Sequence, residues 1–427
     1  MKQKVKRYKL KRELNLFTTT LYGIGIILGA GIYALIGVGA GIAGNMLWLA
    51  FLLSAVLAFF TGLSYAELSS SYPKEAAEYT YTKKAFRNST LSFGVGWLLI
   101  IASILASATV ALGFAGYFVN LFGGSIITVA IVLILLLSLL NFYGIKESAT
   151  FNVIGSIIEA AGLVFVALIG LYFFSDFNVD FFELPKAGFA GILSTVALIF
   201  FAYLGFEDIA NVSEEVKNAK KIVPKALVFA LIISTILYML VSISSIGLLG
   251  WEKLSTSKAP LADVVGKAIP NASLIMSIIA LFATSNTVLI LLIVGSRILY
   301  GISCQGDLPK VCSIIGKRGT PYYSVFIVMI LVSLAIFIGN ISRVAMLTDL
   351  SIFIAFFFVN ASLIKLRYTK GYHPGFKSFS IGNFPILAVL GALSSLFMLF
   401  YFKKEEWLME LGLVIVGLIV FYLFKKK

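Results

Sequence analysis

Apolar stretches of about 20 residues recur along the whole length of this 427-residue chain. An α-helix rises 1.5 Å per residue, so about 20 residues cross the ~30 Å hydrocarbon core of a bilayer. Inside lipid every backbone N–H and C=O must be paired within the protein, which leaves helices and closed barrels as the only spanning structures. These runs do not alternate polar and apolar residues, so they are not barrel strands. Charged residues make up 13% of the chain and hydrophobic ones 60%, against about 25% charged in soluble domains. The pattern predicts an all-α polytopic membrane protein.

Twelve spans are predicted, over residues 17–40, 46–71, 93–120, 125–142, 150–174, 190–212, 225–249, 271–302, 322–339, 345–366, 384–402 and 407–424. The formal net charge of +14 would suggest nucleic acid in a soluble protein. Here the basic residues flank apolar helices, and no nucleic-acid partner is expected. Of the 34 lysines and arginines, all but Lys186, Lys253, Lys258, Lys267, Arg343, Lys403 and Lys404 fall on one side of the predicted membrane. That side holds both termini and the loops after spans 2, 4, 6, 8 and 10. The positive-inside rule assigns it to the cytoplasm. The first apolar run follows a basic stretch, but its length and the spans after it predict a retained helix rather than a signal peptide.

The segments between spans are about twenty residues at most, and no GxxxxGK[ST] pattern occurs, so no ATPase module is expected. Whatever work the protein does is expected within the bundle. Cys304 and Cys312 lie in a predicted cytoplasmic loop, where reduced thiols are the rule. The single histidine, His373, lies in a polar loop, and no HExxH pattern occurs. No metal and no cofactor are therefore expected, and no catalytic residue. The sequence carries no sign of oligomeric state.

Two spans carry interruptions. The first contains YGIGIILGAGIY, residues 22–33, with glycine at 23, 25, 29 and 31. Each glycine costs a helix about 1 kcal/mol relative to alanine. Two readings fit: close packing against a neighbouring helix, or a break at Gly29-Ala30-Gly31. The sixth span reads ALIFFAYLGFEDIANVSEE, residues 197–215. Its expected break, Ala202 to Gly205, is followed at once by Glu207 and Asp208. Intramembrane carboxylates are expensive and face a cavity or partner. Interruptions in the first and sixth spans favour the broken-helix reading and suggest two five-helix halves, the arrangement of inverted-repeat transporters. The expected divisions are a basic cytoplasmic tail, 1–16; a first repeat, 17–174; a second repeat, 190–366; and two further helices with a tail, 384–427. An unwound turn offers N–H groups at one half-helix end and carbonyls at the other. A zwitterionic amino acid satisfies both.

Four segments resemble the amino acid–polyamine–organocation (APC) superfamily of permeases. They are YGIGIILGAGIY, YAELSSSYPKEAAEYTYTKKAF (65–86), FFAYLGFEDIANVSEEVKNAKKIVPKA (200–226) and SRILYGISCQGDLPK (296–310). The resemblance implies a LeuT-like five-plus-five inverted-repeat fold with discontinuous helices 1 and 6, two extra helices, and secondary amino acid transport. It places the substrate carboxylate on the N–H groups of Ala30, Gly31 and Ile32. It places the α-amine on the carbonyls of Ile27, Phe201 and Leu204, with the Phe201 ring as a cap. Gly29, Ala202 and Gly205 complete the unwound segments. The chain departs from the family at Ala30, where a hydroxyl residue is common. It departs again at KEAAEY, where a glycine-containing turn is usual; that difference is expected to affect a loop and not the site.

Glu159 lies ten residues into the fifth predicted span, near the bilayer middle, with no basic residue in the same span. Low dielectric favours the neutral form of a carboxyl group, as a proton carrier requires. In the resembled family this position faces the broken helix 1. Alternatives are Na⁺ coordination with the hydroxyls of Ser285 or Thr287, or a structural hydrogen bond. Glu207 is a second candidate for proton coupling. Asn286 in span 8 could meet the substrate, the helix 1 break or another helix. Glu67 and Arg297 are expected to pair at the cytoplasmic gate or to meet water or lipid headgroups. The lining residues are apolar and aromatic, which favours neutral substrates. The resulting expectation is proton-coupled symport of neutral amino acids across the cell membrane by alternating access. An amino acid or polyamine exchanger and a Na⁺-coupled symporter are the alternatives.

Overall fold

A computed structural model of the chain describes residues 14–29, 31–72, 77–143, 145–211, 216–316 and 319–424. Ala30, most of the basic tail, Lys74, residues 212–215, Lys317, Arg318 and the final lysines lie outside the described residues. The described residues are almost entirely helical, and the only β-pairings are two isolated bridges.

The first span is two helices, α1 (Leu16–Ile27) and α2 (Gly31–Ala43). Asn15 caps α1: its side chain accepts the Thr18 N–H at 3.0 Å while Thr18 Oγ1 accepts the Asn15 N–H at 2.9 Å, a reciprocal capping box. A single 3₁₀ turn leads from α2 into α3 (Leu47–Ser71), the second span. A short helix, α4 (Ala77–Phe86), lies in the connection to α5 (Ser89–Phe122). Spans 4 and 5 are α6 (Ile126–Tyr143) and α7 (Ile145–Tyr172). Span 6 begins as α8 (Gly188–Ile199), passes through a 3₁₀ turn at Phe200–Tyr203 and a turn at 204–207, and resumes as α9 (Asp208–Asn211). Span 7 is α10 (Ala219–Leu249). Two short helices, α11 (Trp251–Thr256) and α12 (Pro260–Ala268), lead to α13 (Ser273–Cys304), the eighth span. The last four spans are α14 (Tyr322–Ile336), α15 (Ile341–Arg367), α16 (Ile386–Met398) and α17 (Lys404–Phe424).

Twelve spans are thus present, close to the expected boundaries. Two begin five or more residues earlier than expected, α7 at Ile145 and α10 at Ala219. α10 takes in Pro224, which lies only five residues into the helix and there removes a single ladder bond. The break in span 6 is longer than Ala202–Gly205, running from Phe200 to Glu207.

The bundle is sorted by the solvent around it. Leu135, Leu136 and Leu139 of α6, and Leu408, Ile415, Ile419 and Leu423 of α17, face outward, as a lipid environment requires. The interior holds seven fully buried tyrosines, Tyr33, Tyr65, Tyr79, Tyr81, Tyr117, Tyr203 and Tyr238. Most bring a hydroxyl to a backbone carbonyl or carboxylate far away in sequence.

Glu67 at the end of α3 meets neither the expected Arg297 nor open water; its partner is Arg367 at the end of α15, in a buried ion pair. The same carboxylate accepts the Ser378 N–H and hydroxyl, both at 2.8 Å. Arginine's planar fork suits this bidentate geometry.

Candidate functional site

Helix α1 ends at Ile27 and α2 starts at Gly31. Within the gap the Gly29 N–H reaches only the Ile26 carbonyl, at 3.4 Å. The first-turn N–H groups of α2, those of Gly31 and Ile32 among them, have no intrahelical acceptor. The glycines serve both purposes raised by the sequence. Gly23 packs against Ile209 and Ala230, and Gly25 against Ser156. Gly31 lets the two broken spans touch: a Cβ there would fall 2.5 Å from the Cα of Ala202. Gly205 has φ +108°, open in practice to glycine, and a Cβ there would lie 2.2 Å from Ile26 Cγ2.

Long-range polar contacts hold the two breaks together. The Tyr238 hydroxyl of α10 lies against two carbonyls, that of Ile27 in span 1 and that of Ala202 in span 6, the latter at 2.8 Å. Asp349 of α15 accepts the Phe201 N–H at 3.0 Å. That bond gives the Phe201 N–H a partner outside the helical ladder and extends the unwound segment. The Glu207 carboxylate accepts the Gly205 N–H at 2.9 Å.

A cavity of about 110 Å³ opens beside the breaks, several times the ~10–15 Å³ that one water needs on the same measure. Ile27, Gly29, Gly31, Phe201, Ala202, Leu204, Gly205, Glu207 and Thr287 all line it. Its remaining wall comes from α5, α13 and Ile352 of α15, with Asp208 and Glu78. The cavity runs from the breaks toward the face of the bundle that carries α4.

Other expected site residues lie elsewhere. Ile32 is fully buried in α2 and does not line the cavity. Nor do Ser285 and Asn286: the Ser285 hydroxyl donates to the Phe282 carbonyl at 2.9 Å, and the Asn286 amide donates to Ser156 Oγ at 3.4 Å. Thr287 donates to Ala283 at 3.2 Å and sits against Gly29. Glu159 is fully buried behind the first break. Its backbone carbonyl accepts the Tyr33 hydroxyl at 2.8 Å. Neither carboxyl oxygen has a hydrogen-bond partner among the described residues, and the group lies within electrostatic reach of Tyr33 and Tyr238.

Three contributors escaped the sequence reading. Tyr238 is one of 19 tyrosines, with no motif to mark it. Asp349 carried a usable signal, a lone carboxylate within span 10, the same signal that marked Glu159. Glu78 belongs to the KEAAEY segment expected to touch only a loop. The turn itself, residues 74–76, lies outside the described residues, but α4 carries Glu78 into the cavity wall, where its carboxylate accepts the Tyr65 hydroxyl at 2.9 Å. Burial, opposed by the Tyr65 bond and a backbone hydrogen bond, pushes Glu78 up to about 7.

A multi-pass helical bundle whose two interrupted spans meet at a cavity has the architecture of a secondary transporter rather than of an enzyme. The comparisons with known proteins make the class specific: the chain belongs to the amino acid permease family, whose profile matches residues 14–403. It is 30% identical to the branched-chain amino acid permease BcaP of Bacillus subtilis, over 98% of this chain and 94% of that protein. It is 29% identical to the methylthioribose transporter of the same organism, over 99% and 95%. It is 28% identical to the vacuolar cationic amino acid transporter 4 of Arabidopsis thaliana, over 84% and 64%. The family lies in the APC superfamily, with its LeuT-like five-plus-five inverted-repeat fold and two further spans. Amino acid transport is the activity of the family.

Proposed function

We propose that the protein is a proton-coupled symporter of neutral amino acids in the cell membrane, with both termini cytoplasmic. The observation that carries this reading is the meeting of two unwound, glycine-bounded segments at one cavity, with the partnerless Glu159 carboxyl group directly behind the first. The substrate carboxylate sits on the N–H groups that open α2, that of Gly31 at the cavity wall and that of Ile32 one residue further in, and on that of Ala30. Its ammonium group meets the carbonyls of Ile27, Phe201 and Leu204. A carbonyl oxygen has two lone pairs, so the Ile27 oxygen can take the ammonium while Tyr238 stays in place. Phe201 covers the side chain. The apolar lining supports a neutral substrate, and the branched-chain specificity in the name of the Bacillus relative agrees with it.

Glu159 carries the coupling proton. Neutral and unpaired, its burial costs a few kcal/mol, and ionised without a partner it costs far more. Loss of the proton therefore destabilises the packing behind the first break and favours the change of access. The bundle of spans 1, 2, 6 and 7 moves against the rest, within repeats at 17–174 and 190–366 and with 384–427 outside them. Sodium coordination is less well supported: of the two expected hydroxyls, Ser285 lies off the cavity, and Thr287, which lines it, donates to Ala283 within its own helix. Glu207 is a second group on the proton path.

The test is uptake of tritiated leucine into proteoliposomes under an imposed inward pH gradient. Concentrative uptake by the wild-type protein, abolished in Glu159→Gln while leucine counterflow remains, is the expected result. Concentrative uptake by Glu159→Gln equal to wild type would contradict the role of Glu159, and sodium dependence would contradict proton coupling. A second reading, a substrate with a cationic side chain, is favoured by the carboxylates of Glu78, Glu207 and Asp208 on a wall without lysine or arginine. Thermal stabilisation by each of the twenty amino acids decides it: arginine or lysine alone would support that reading.

A further inference from the structure

Glu78 is the acidic group that the transport reading leaves without a task. It stands on α4, in the connection between spans 2 and 3, yet its side chain reaches the wall of the central cavity with 4% of its surface exposed. One carboxylate oxygen is held by the Tyr65 hydroxyl of α3. Glu207 and Asp208, at the end of the span 6 break, act on it through space. Glu207 in turn is fixed by the Gly205 N–H inside the break. Carboxyl groups therefore stand along one route, from the unwound backbone of span 6 to a helix outside the membrane spans.

We propose that Glu78 is the group through which the transported proton leaves for the cytosol, receiving it from Glu207. The proposal rests on the proton-coupled reading above. In the step, the O–H bond of neutral Glu207 breaks, directly or through one water, and the Glu78 carboxylate gains the proton. Glu78 then gives it to water when the cavity is open on that side. The net change is one proton moved, with no other reactant.

The surroundings suit the task. From α3 Glu78 meets Tyr65, and Glu67 of that helix is engaged by Arg367. Helix α5 has no charged residue along its whole length. From α15, Lys365 lies over the Phe86 ring, at the far end of α4. On α4 itself, Tyr79 and Lys83 turn to Asp307 and Gln305, away from the cavity. Among the described residues, none of the groups that shift Glu78 is cationic, so no ion pair locks it in the ionised form. Its pKa of about 7 lets it gain and lose a proton at neutral pH, as an exit group must.

The test compares wild type, Glu78→Gln and Glu78→Asp in leucine-loaded and pH-jumped proteoliposomes, varying the pH on the cytoplasmic side from 6 to 8. The readout is the ratio of pH-gradient-driven uptake to leucine counterflow, since counterflow needs no net proton release. Glu78→Gln is expected to lower that ratio by at least about tenfold and to flatten its dependence on cytoplasmic pH, and Glu78→Asp to restore the dependence. A Glu78→Gln protein with the wild-type ratio and profile would overturn the proposal while leaving proton symport intact. So would equal loss of both activities with no rescue by aspartate, because that marks a structural part. Wild-type uptake indifferent to the pH gradient would overturn both readings.

Discussion

A single methyl group separates a working arrangement of the two breaks from a blocked one. The Cβ of an alanine at position 31 would meet the backbone of Ala202 at 2.5 Å, and a backbone atom cannot rotate away. Overpacking costs ~1–3 kcal/mol in an ordinary core; here it also drives apart the two segments that face the substrate. Gly31→Ala should weaken leucine binding at least about tenfold and lower the melting temperature in detergent; leucine affinity equal to wild type would contradict the contact. Tyr238→Phe removes the one hydroxyl that serves the carbonyls of Ile27 and Ala202. A buried acceptor left unpaired costs ~1–3 kcal/mol, so the substrate-free protein should melt earlier, and leucine, whose ammonium group supplies new donors, should recover part of the loss. Glu78 makes a third prediction. Its folded pKa of about 7 lies above its ordinary 4.5, so between those values the folded state holds more protons than the unfolded state. Its contribution to stability is fully present below pH 4.5 and is lost as pH rises through 7. The melting temperature of wild type should therefore fall across that window more steeply than that of Glu78→Gln; parallel curves would contradict it.

At the scale of elements, the joints between spans matter more than the spans. The end of α3 is tied to the end of α15 by the buried Glu67–Arg367 pair and its Ser378 bonds. Breaking such a pair from one side leaves an uncompensated charge and costs ~3–5 kcal/mol. Glu67→Gln should lower the melting temperature more than a double variant, Glu67→Gln with Arg367→Leu, in which no charge is stranded. Equal losses would mean that the pair is not the joint. These elements also separate what a sequence can disclose from what it cannot. The first break was legible to within a residue, because Gly29 and Gly31 act locally on the helix. The second was legible only at its centre: Gly205 marks it, but its extent depends on Asp349, a partner 148 residues away. The partner of Glu67 lies 300 residues off, and no local signal marks it.

At the scale of the molecule, twelve spans follow from hydropathy alone, since a bilayer admits few alternatives to a helix of about 20 apolar residues. The small connecting helices α4, α11 and α12 left no such trace, and one of them places Glu78 in the cavity wall. The part of the cavity lining that the two breaks supply was legible, because the glycines that break a helix are the ones that let a ligand approach its backbone. The placement of Glu159 against the first break was legible only through the family resemblance, since depth along a helix does not give the direction a side chain faces. The central claim is that the two meeting breaks form the amino acid site. The most direct measurement is a cryo-electron microscopy structure of the purified protein in saturating leucine. The account predicts density beside Gly31 with the carboxylate at the N–H groups of Gly31 and Ile32, the ammonium group at the carbonyls of Ile27, Phe201 and Leu204, and the side chain under Phe201. Leucine bound away from both breaks, or spans 1 and 6 running unbroken through the membrane, would contradict it.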